Sequence, residues 1–520
     1  MSLQRWHDLL GRECVLDDAA SLELYSQDVY RAGVRPLAVL RPGTPEQVQA
    51  VVAEAARAGV ALFLRGGGMS YTDAYLPDRA TAVVLDLSRL DRVREIAVAD
   101  LHATVEAGCT WAALDAALAP HGLRAVFWGP MSGKRSTIGG AMSQGAVTFG
   151  SGRNGPSGAA ALGFEIVLGD GRLLRTGSGG QPGHAPFFRH YGPDLTGLFA
   201  ADAGALGIKT AVTLQLEPRP ACGDGLSFAF ERFDDLAAAV AAVARHGLAT
   251  EVFGAETALL RWVAGAQDLR QDFKALWAAG RAQSNPLRAA RQMYRIARGG
   301  RRFLATAAYA VNFLTEAEDA TRLRLLLDDI RRVAGERGLE IPNTMAAVTR
   351  AMPFPDPMVL GPEGRRLLPL HGIFPHSTVG AFNAAFEAWL RSRQPEIERH
   401  DVRVYVVYAT CGASAFLFEP VIYWKDAWPA LHRRTMPTAM LAAWTEPPPD
   451  EAARQLVERL RVEIIDLMYA HGAAHLQIGR AYPYTRERDA AALELLRSLK
   501  AATDPQALLN PGALGLEPES

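Results

Sequence analysis

The sequence predicts an α+β protein of two or more domains, and three observations carry that expectation. Its 520 residues, 49% of them hydrophobic, exceed what one core of ordinary size encloses. Early in the chain a helical pattern sits between short apolar runs, and three consecutive glycines follow one of those runs. Between Ala221 and about Arg459, helical stretches such as "RFDDLAAAVAAVARHG" alternate with strand-like ones such as "RVYVVYATCG" and "SAFLFEPVIYW".

Composition narrows the function classes. A net charge of -1 gives no global attraction to nucleic acid, so any electrostatic partner must be met by a local patch. Cys14, Cys109, Cys222 and Cys411 stand far apart without a CxxC pair, which argues against a disulfide framework and a structural zinc site. The opening "MSLQRWHDLLGREC" lacks the apolar segment of a signal peptide, and no run reaches the roughly 18 apolar residues of a membrane span. These features suggest a soluble, cytoplasmic protein.

The first readable element is a helix starting at Pro45. Thr44 caps it, Gln47 completes a capping-box pattern, and Gly59 ends it. "VALFLRGGG" then reads as a buried strand running into glycines, and "TAVVLDLSRL" as the next strand. A dinucleotide fingerprint of the Rossmann kind needs a helix behind its glycines. Here "MSYTDAYLP" follows, with no helical spacing, so the glycines suit a nest of backbone N–H groups with a phosphate as its natural guest. A tight turn without a ligand is the other reading of the triplet alone.

Downstream, "ATVEAGCTWAALDAALAPHG" reads as a strand and then a helix from Thr110. The stretch "WGPMSGKRSTIGGAMSQGAVTFGSGRNGPSG" is too long and too poor in apolar periodicity for an ordinary connection, and reads as a functional loop. "FEIVLGDGRLLRTG" returns to a hairpin with Asp170 and Gly171 as a two-residue turn, and "GALGIKTAVTLQLEP" ends in a strand through Leu216.

The ordered segments "RGGGMS", "STIGGAMSQGAVTFGSGRNG", "FEIVLGDG" and "GPDLTGLFAADAGALGIKTAVTLQLEP" resemble the FAD-binding domain of the vanillyl-alcohol oxidase and p-cresol methylhydroxylase superfamily over about residues 36–220. The tail "LRSLKAATDPQALLNPGAL" resembles that family's C-terminal helix and the Asn-Pro-Gly segment that returns to the flavin domain. The resemblance implies a two-subdomain α+β flavin fold over residues 1–220. It further implies a cap of antiparallel sheet and helices over 221–459, and a returning segment over 460–520. It also implies that Arg65 and the backbone of Gly66, Gly67, Gly68, Met69 and Ser70 meet the FAD pyrophosphate. Pro130, Thr137, Ile138, Gly139, Gly140, Ser143, Gly145, Asn154 and Asn510 would line the flavin, and Ile166 the adenine.

Met69 stands where many relatives carry a histidine bonded to the flavin's 8α-methyl carbon, and "SGRNGPSG" lacks the cysteine that some add. FAD is therefore expected to be held without a covalent bond from these loops, with the cap's His371 and His376 as the remaining candidates for one. The resemblance implies oxidation of an alcohol, hydroxy acid or activated C–H of a small molecule, with hydride passing to flavin N5, a dehydrogenase being favoured over an oxidase. The catalytic residues are expected among His475, Gln477, Tyr482, His371, Tyr408 and Glu419, with His475 preferred as base or polariser and Gln477 or Tyr482 beside it, since a base must lie within hydrogen-bond reach of the substrate proton. Alternation in "AHLQIGRAYPY" predicts a strand with His475, Gln477 and Gly479 on one face. Glu419, in an apolar strand, needs a partner such as an arginine or a substrate hydroxyl. No metal-binding segment of the kind found in metal-using relatives occurs. A cyclisation or transfer enzyme, or a flavin-fold binding module, are the alternative readings. Finally, "RAQSNPLRAARQMYRIARGGRR" at residues 281–302 reads as a basic amphipathic helix, suited to an anionic membrane surface or an acidic electron acceptor, or to a solvated arginine face. The electron acceptor and the oligomeric state are left open.

Overall fold

A computed structural model of the chain describes residues 3–266 and 307–516, so the basic stretch at 281–302 lies outside the described residues. The helix Pro45–Ala58 starts as the capping pattern requires: the Gln47 N–H donates to Thr44 Oγ1 at 3.2 Å, while Gln47 Oε1 accepts from the Gly43 N–H at 2.7 Å. Gly59, at φ 63°, closes it in the left-handed region. Its face of Val48, Val51, Val52 and Ala55 is buried against Leu40, Leu62, Val83 and Leu85. Each such valine contributes about 1.5–3 kcal/mol of burial. Those strands form a four-stranded sheet in the order Val15–Leu16, Ala38–Leu40, Val83–Asp86, Leu62–Arg65. Leu62–Arg65 and Val83–Asp86 run parallel, so the glycine triplet leaves the sheet at its edge.

A six-stranded sheet follows, centred on Ile208–Pro218 between His102–Glu106 and Ala161–Val167. Two local expectations are corrected here. The long glycine-rich stretch contains a two-turn helix, Ile138–Gln144, in which Thr137 Oγ1 accepts the Gly140 N–H at 3.3 Å. Its buried Ile138, Ala141 and Met142 do follow helical spacing, but two adjacent glycines masked the signal. The hairpin after Val167 closes on a three-residue turn. Leu168 N–H bonds Arg172 O at 2.9 Å, with Gly171 at φ 85° filling the left-handed position.

Among the described residues the third sheet has eight antiparallel strands, all drawn from between Cys222 and Trp424. Alternation sorts its two faces. Phe228, Phe313, Val406, Tyr408, Phe416 and Phe418 meet the helices Phe233–Arg245, Ala320–Ala334, Val379–Arg399 and Glu451–Ala470 in the largest core. Tyr405, Val407, Val421 and Tyr423 take the opposite face, beside Trp262. The helix Glu451–Ala470 runs unbroken through the expected boundary at 459/460 and is buried in this core from Ala453 to Met468. The chain then returns to the first sheet, where the Leu62 N–H donates to Leu508 O at 2.8 Å and the Asn510 N–H to Leu62 O at 2.9 Å.

Candidate active site

Two glycine segments press together to form a cleft. A β-carbon on Gly67 would lie 2.0 Å from Arg135 O, and one on Gly66 would lie 2.2 Å from Thr137 Oγ1. Only glycine permits that approach of backbone to backbone. The cleft is open to solvent and has a cavity volume of about 130 Å³. Of the expected cofactor residues, Arg65 to Ser70, Pro130, Thr137, Gly139, Gly140, Ser143 and Asn510 line it. Four do not. Ile138 is fully buried in the core, and Ile166 lies beneath Gly207. Gly145 closes the short helix at φ 62°, and Asn154 Nδ2 donates to Val126 O at 2.9 Å. Gln144, Ala203, Gly204 and Lys209 line the cleft without having been expected. Lys209 is held by Asp202 at 2.8 Å, with burial pulling its pKa down, and no short-range motif marks such a pair.

The wall has unfilled hydrogen-bonding capacity. Among the described residues, none of the five consecutive backbone N–H groups from Gly66 to Ser70 donates a hydrogen bond within the protein. Gln144 Oε1 is buried and unpartnered. Arg65 sends Nη1 to Gln27 O at 2.9 Å and has no carboxylate partner among the described residues. Asn510 pins the strand before the loop, its Oδ1 accepting the Leu64 N–H at 2.7 Å and its Nδ2 donating to Ala203 O at 2.7 Å. Met69 lines the cleft and packs with Val29, Leu360, Trp428 and Met436.

A second group stands beside this cleft, brought there by the segment after Ala470. That segment is irregular rather than a strand: Gln477 adopts φ 52°, and one bridge, Ile373 to Ala474, is its tie to the cap sheet. The Gln477 N–H donates to Gln144 O at 2.8 Å, and Gln477 lines the cleft. His475 instead stacks on Tyr482, with ring centroids 4.3 Å apart, and its Nδ1 lies 2.7 Å from His371 O. Since a carbonyl can only accept, Nδ1 carries the proton and Nε2 holds a lone pair. Nε2 is buried and has no partner. Tyr482 Oη accepts the His371 N–H at 2.7 Å, and His371 Nε2 lies 3.7 Å from Glu419 Oε2. Burial governs the protonation of this group. It lowers His475, lowers His371 to about 4, and raises Glu419 to about 7. At neutral pH both imidazoles are uncharged.

Tyr408 is not part of this group. Its strand pairs Val407 with Glu419 and Tyr408 with Phe418, so Tyr408 points to the opposite face and is buried among Phe233, Phe416 and Phe418. His376 bonds Ala413 O at 3.2 Å, lies against Phe416, and does not line the cleft. Among the described residues no group of His, Cys, Asp or Glu is arranged to hold a metal ion, and no helix is long and apolar enough to cross a membrane.

Family models place these features. Residues 36–177 match the FAD binding domain and residues 447–514 match the C-terminal domain of FAD linked oxidases. Together the two matches cover less than half of the chain, and both are to parts of FAD-linked enzymes. The chain is 30% identical over 251 residues to an uncharacterised FAD-linked oxidoreductase of Mycobacterium tuberculosis, a match covering 48% of this chain and 52% of that one. It is 28% identical over 216 residues to the mitochondrial D-lactate dehydrogenase (cytochrome) 1 of Saccharomyces cerevisiae, covering 41% of this chain and 35% of that one. The chain thus spans about half the length, or less, of these curated relatives. The fold matches p-cresol methylhydroxylase with a TM-score of 0.71 at 17% identity, over 99% of this chain and 96% of that one. The cleft fits the cofactor that these matches imply: unsatisfied amides in a glycine nest meet the needs of a pyrophosphate, and a buried acceptor on Gln144 awaits a donor.

Proposed function

We propose that this chain holds FAD without a covalent bond from its glycine loops, and oxidises a small organic alcohol, hydroxy acid or activated C–H. The observation that carries the reading is the run of five amides at Gly66–Ser70 that donate to nothing among the described residues, in a cleft also lined by Gln477 of the segment that bears His475. Bound FAD supplies the hydride acceptor. The chain supplies the rest. The Gly66–Ser70 amides hold the pyrophosphate, and Asn510 fixes the strand that aims them. Methionine at position 69 has no nucleophilic nitrogen with which to attach the flavin.

His475 Nε2 takes the proton of the substrate hydroxyl, while the His371 carbonyl fixes its tautomer and the Tyr482 ring fixes its plane. Glu419, which receives no hydrogen bond among the described residues, remains protonated below about pH 7 and donates to a substrate oxygen. Burial raises the phenols of Tyr71 and Tyr423, and the nearby Glu419 carboxylate, when ionised, raises both further. The relatives' names, lactate and cresol dehydrogenases and glycolate oxidase among them, support an oxidoreductase of this breadth. The test is anaerobic mixing of the FAD-loaded protein with a panel of D-2-hydroxy acids, primary alcohols and 4-alkylphenols. At least one class bleaches the flavin absorbance. Loaded protein that no member of the panel reduces contradicts the reading.

A further inference from the structure

The cap sheet reaches into the second glycine segment of the flavin unit through one buried acid. Glu251 opens the strand Glu251–Glu256 and is 7% exposed. The Gly150 N–H donates to Glu251 Oε1, and the Gly152 amide faces the same carboxyl. Neither glycine tolerates a side chain: a β-carbon on Gly150 would lie 2.3 Å from Val126 O, and one on Gly152 would lie 2.5 Å from Thr250 O. A second tie comes from the next cap strand, where the Gly412 N–H donates to Ser151 O at 2.8 Å. The segment so gripped begins at Ala146, which lines the cofactor cleft. Phe149, stacked on Trp128 with centroids 4.6 Å apart, links Ala146 to Gly150.

The charges around this carboxyl leave it without a cation of its own. Arg124 lies nearby but is spent on Glu316 at 2.6 Å and Glu217 at 2.8 Å. Glu316 adds a like charge, Cys411 is an un-ionised thiol pushed up to about 11, and Arg153 on the gripped turn is exposed. Burial together with Glu316 raises Glu251 to about 8, so the acid is protonated at neutral pH. A raised carboxyl stabilises its seat while it carries the proton, and that contribution is lost as pH rises through about 8.

We infer that Glu251 is a positioning residue, which from the cap holds the 146–155 turn against the cofactor cleft and sets how tightly FAD is retained. The inference rests on the FAD reading above. It is tested by titrating apo-protein with FAD at pH 6 and pH 9, following flavin fluorescence, for wild type, Glu251→Gln and Glu251→Ala, with the apo melting temperature measured alongside. Wild-type affinity is expected to fall about tenfold between the two pH values, as the proton leaves. Glu251→Gln, which keeps an acceptor but cannot ionise, is expected to bind within about threefold of wild type at pH 6 and to show a flat profile. Glu251→Ala orphans the Gly150 amide and is expected to bind about tenfold more weakly at both pH values.

A wild-type profile that is flat, or a Glu251→Gln profile that falls in parallel with wild type, overturns the role of Glu251. These outcomes do not depend on Glu251→Ala folding. Wild-type protein that takes up no FAD at either pH overturns the cofactor reading itself, and the inference with it.

Discussion

Replacing Gly67 by alanine isolates the contact on which the cleft depends. The added β-carbon would sit 2.0 Å from Arg135 O, 2.7 Å from Arg135 C and 3.1 Å from Ser136 Cα, all backbone atoms. No rotamer change relieves a clash with main chain. Bringing the first contact to an ordinary separation of roughly 3.4 Å requires one glycine segment to move by about 1.4 Å. Overpacking of this kind costs roughly 1–3 kcal/mol. The same movement withdraws the Gly66–Ser70 amides from any group they hold, and a tenfold loss of affinity corresponds to about 1.4 kcal/mol. Gly67→Ala is therefore expected to weaken FAD binding by about tenfold to a hundredfold, read by fluorescence titration of apo-protein. Its melting temperature without FAD separates a local shift from loss of fold. Wild-type affinity in a folded Gly67→Ala variant would refute the placement of this loop.

His475→Gln is expected to slow anaerobic flavin reduction by roughly 10²–10⁴-fold while leaving FAD content unchanged, because the lost group is a base and not a cofactor ligand. Stopped-flow absorbance reads both quantities, and near-normal reduction removes His475 from the chemistry. Glu419 gives a pH signature. With its pKa raised to about 7 it donates below that value and not above it, so kcat/KM of the wild type is expected to fall as pH rises through about 7. Glu419→Gln, a permanent donor, is expected to lose that limb, and a pH profile unchanged by the substitution contradicts the donor role.

What could be read from the chain beforehand follows from the range of the signals. The capped helix at Pro45, the strand entering the glycines and the Asn510 return depend on neighbours in sequence or on family motifs, and each appears in the structure. The short helix Ile138–Gln144 was illegible because its glycines, needed for close approach, have poor helix propensity. Alternation correctly separates Val407 from Tyr408, but sequence alone does not say which face meets helices, and so does not exclude Tyr408 from the site. The 474–484 segment alternates like a strand yet is held by long-range contacts, such as the Arg480 N–H on Thr72 O at 3.0 Å, which override that pattern. Gln144 and Lys209 were missed because cleft lining is a tertiary property.

The most direct measurement is the visible absorption spectrum of the FAD-reconstituted, dialysed protein, repeated on the supernatant and pellet after acid precipitation. The account predicts a retained flavin spectrum that passes wholly to the supernatant. Flavin fixed in the pellet would contradict its non-covalent attachment, and protein that retains no flavin would contradict the cofactor assignment of the cleft.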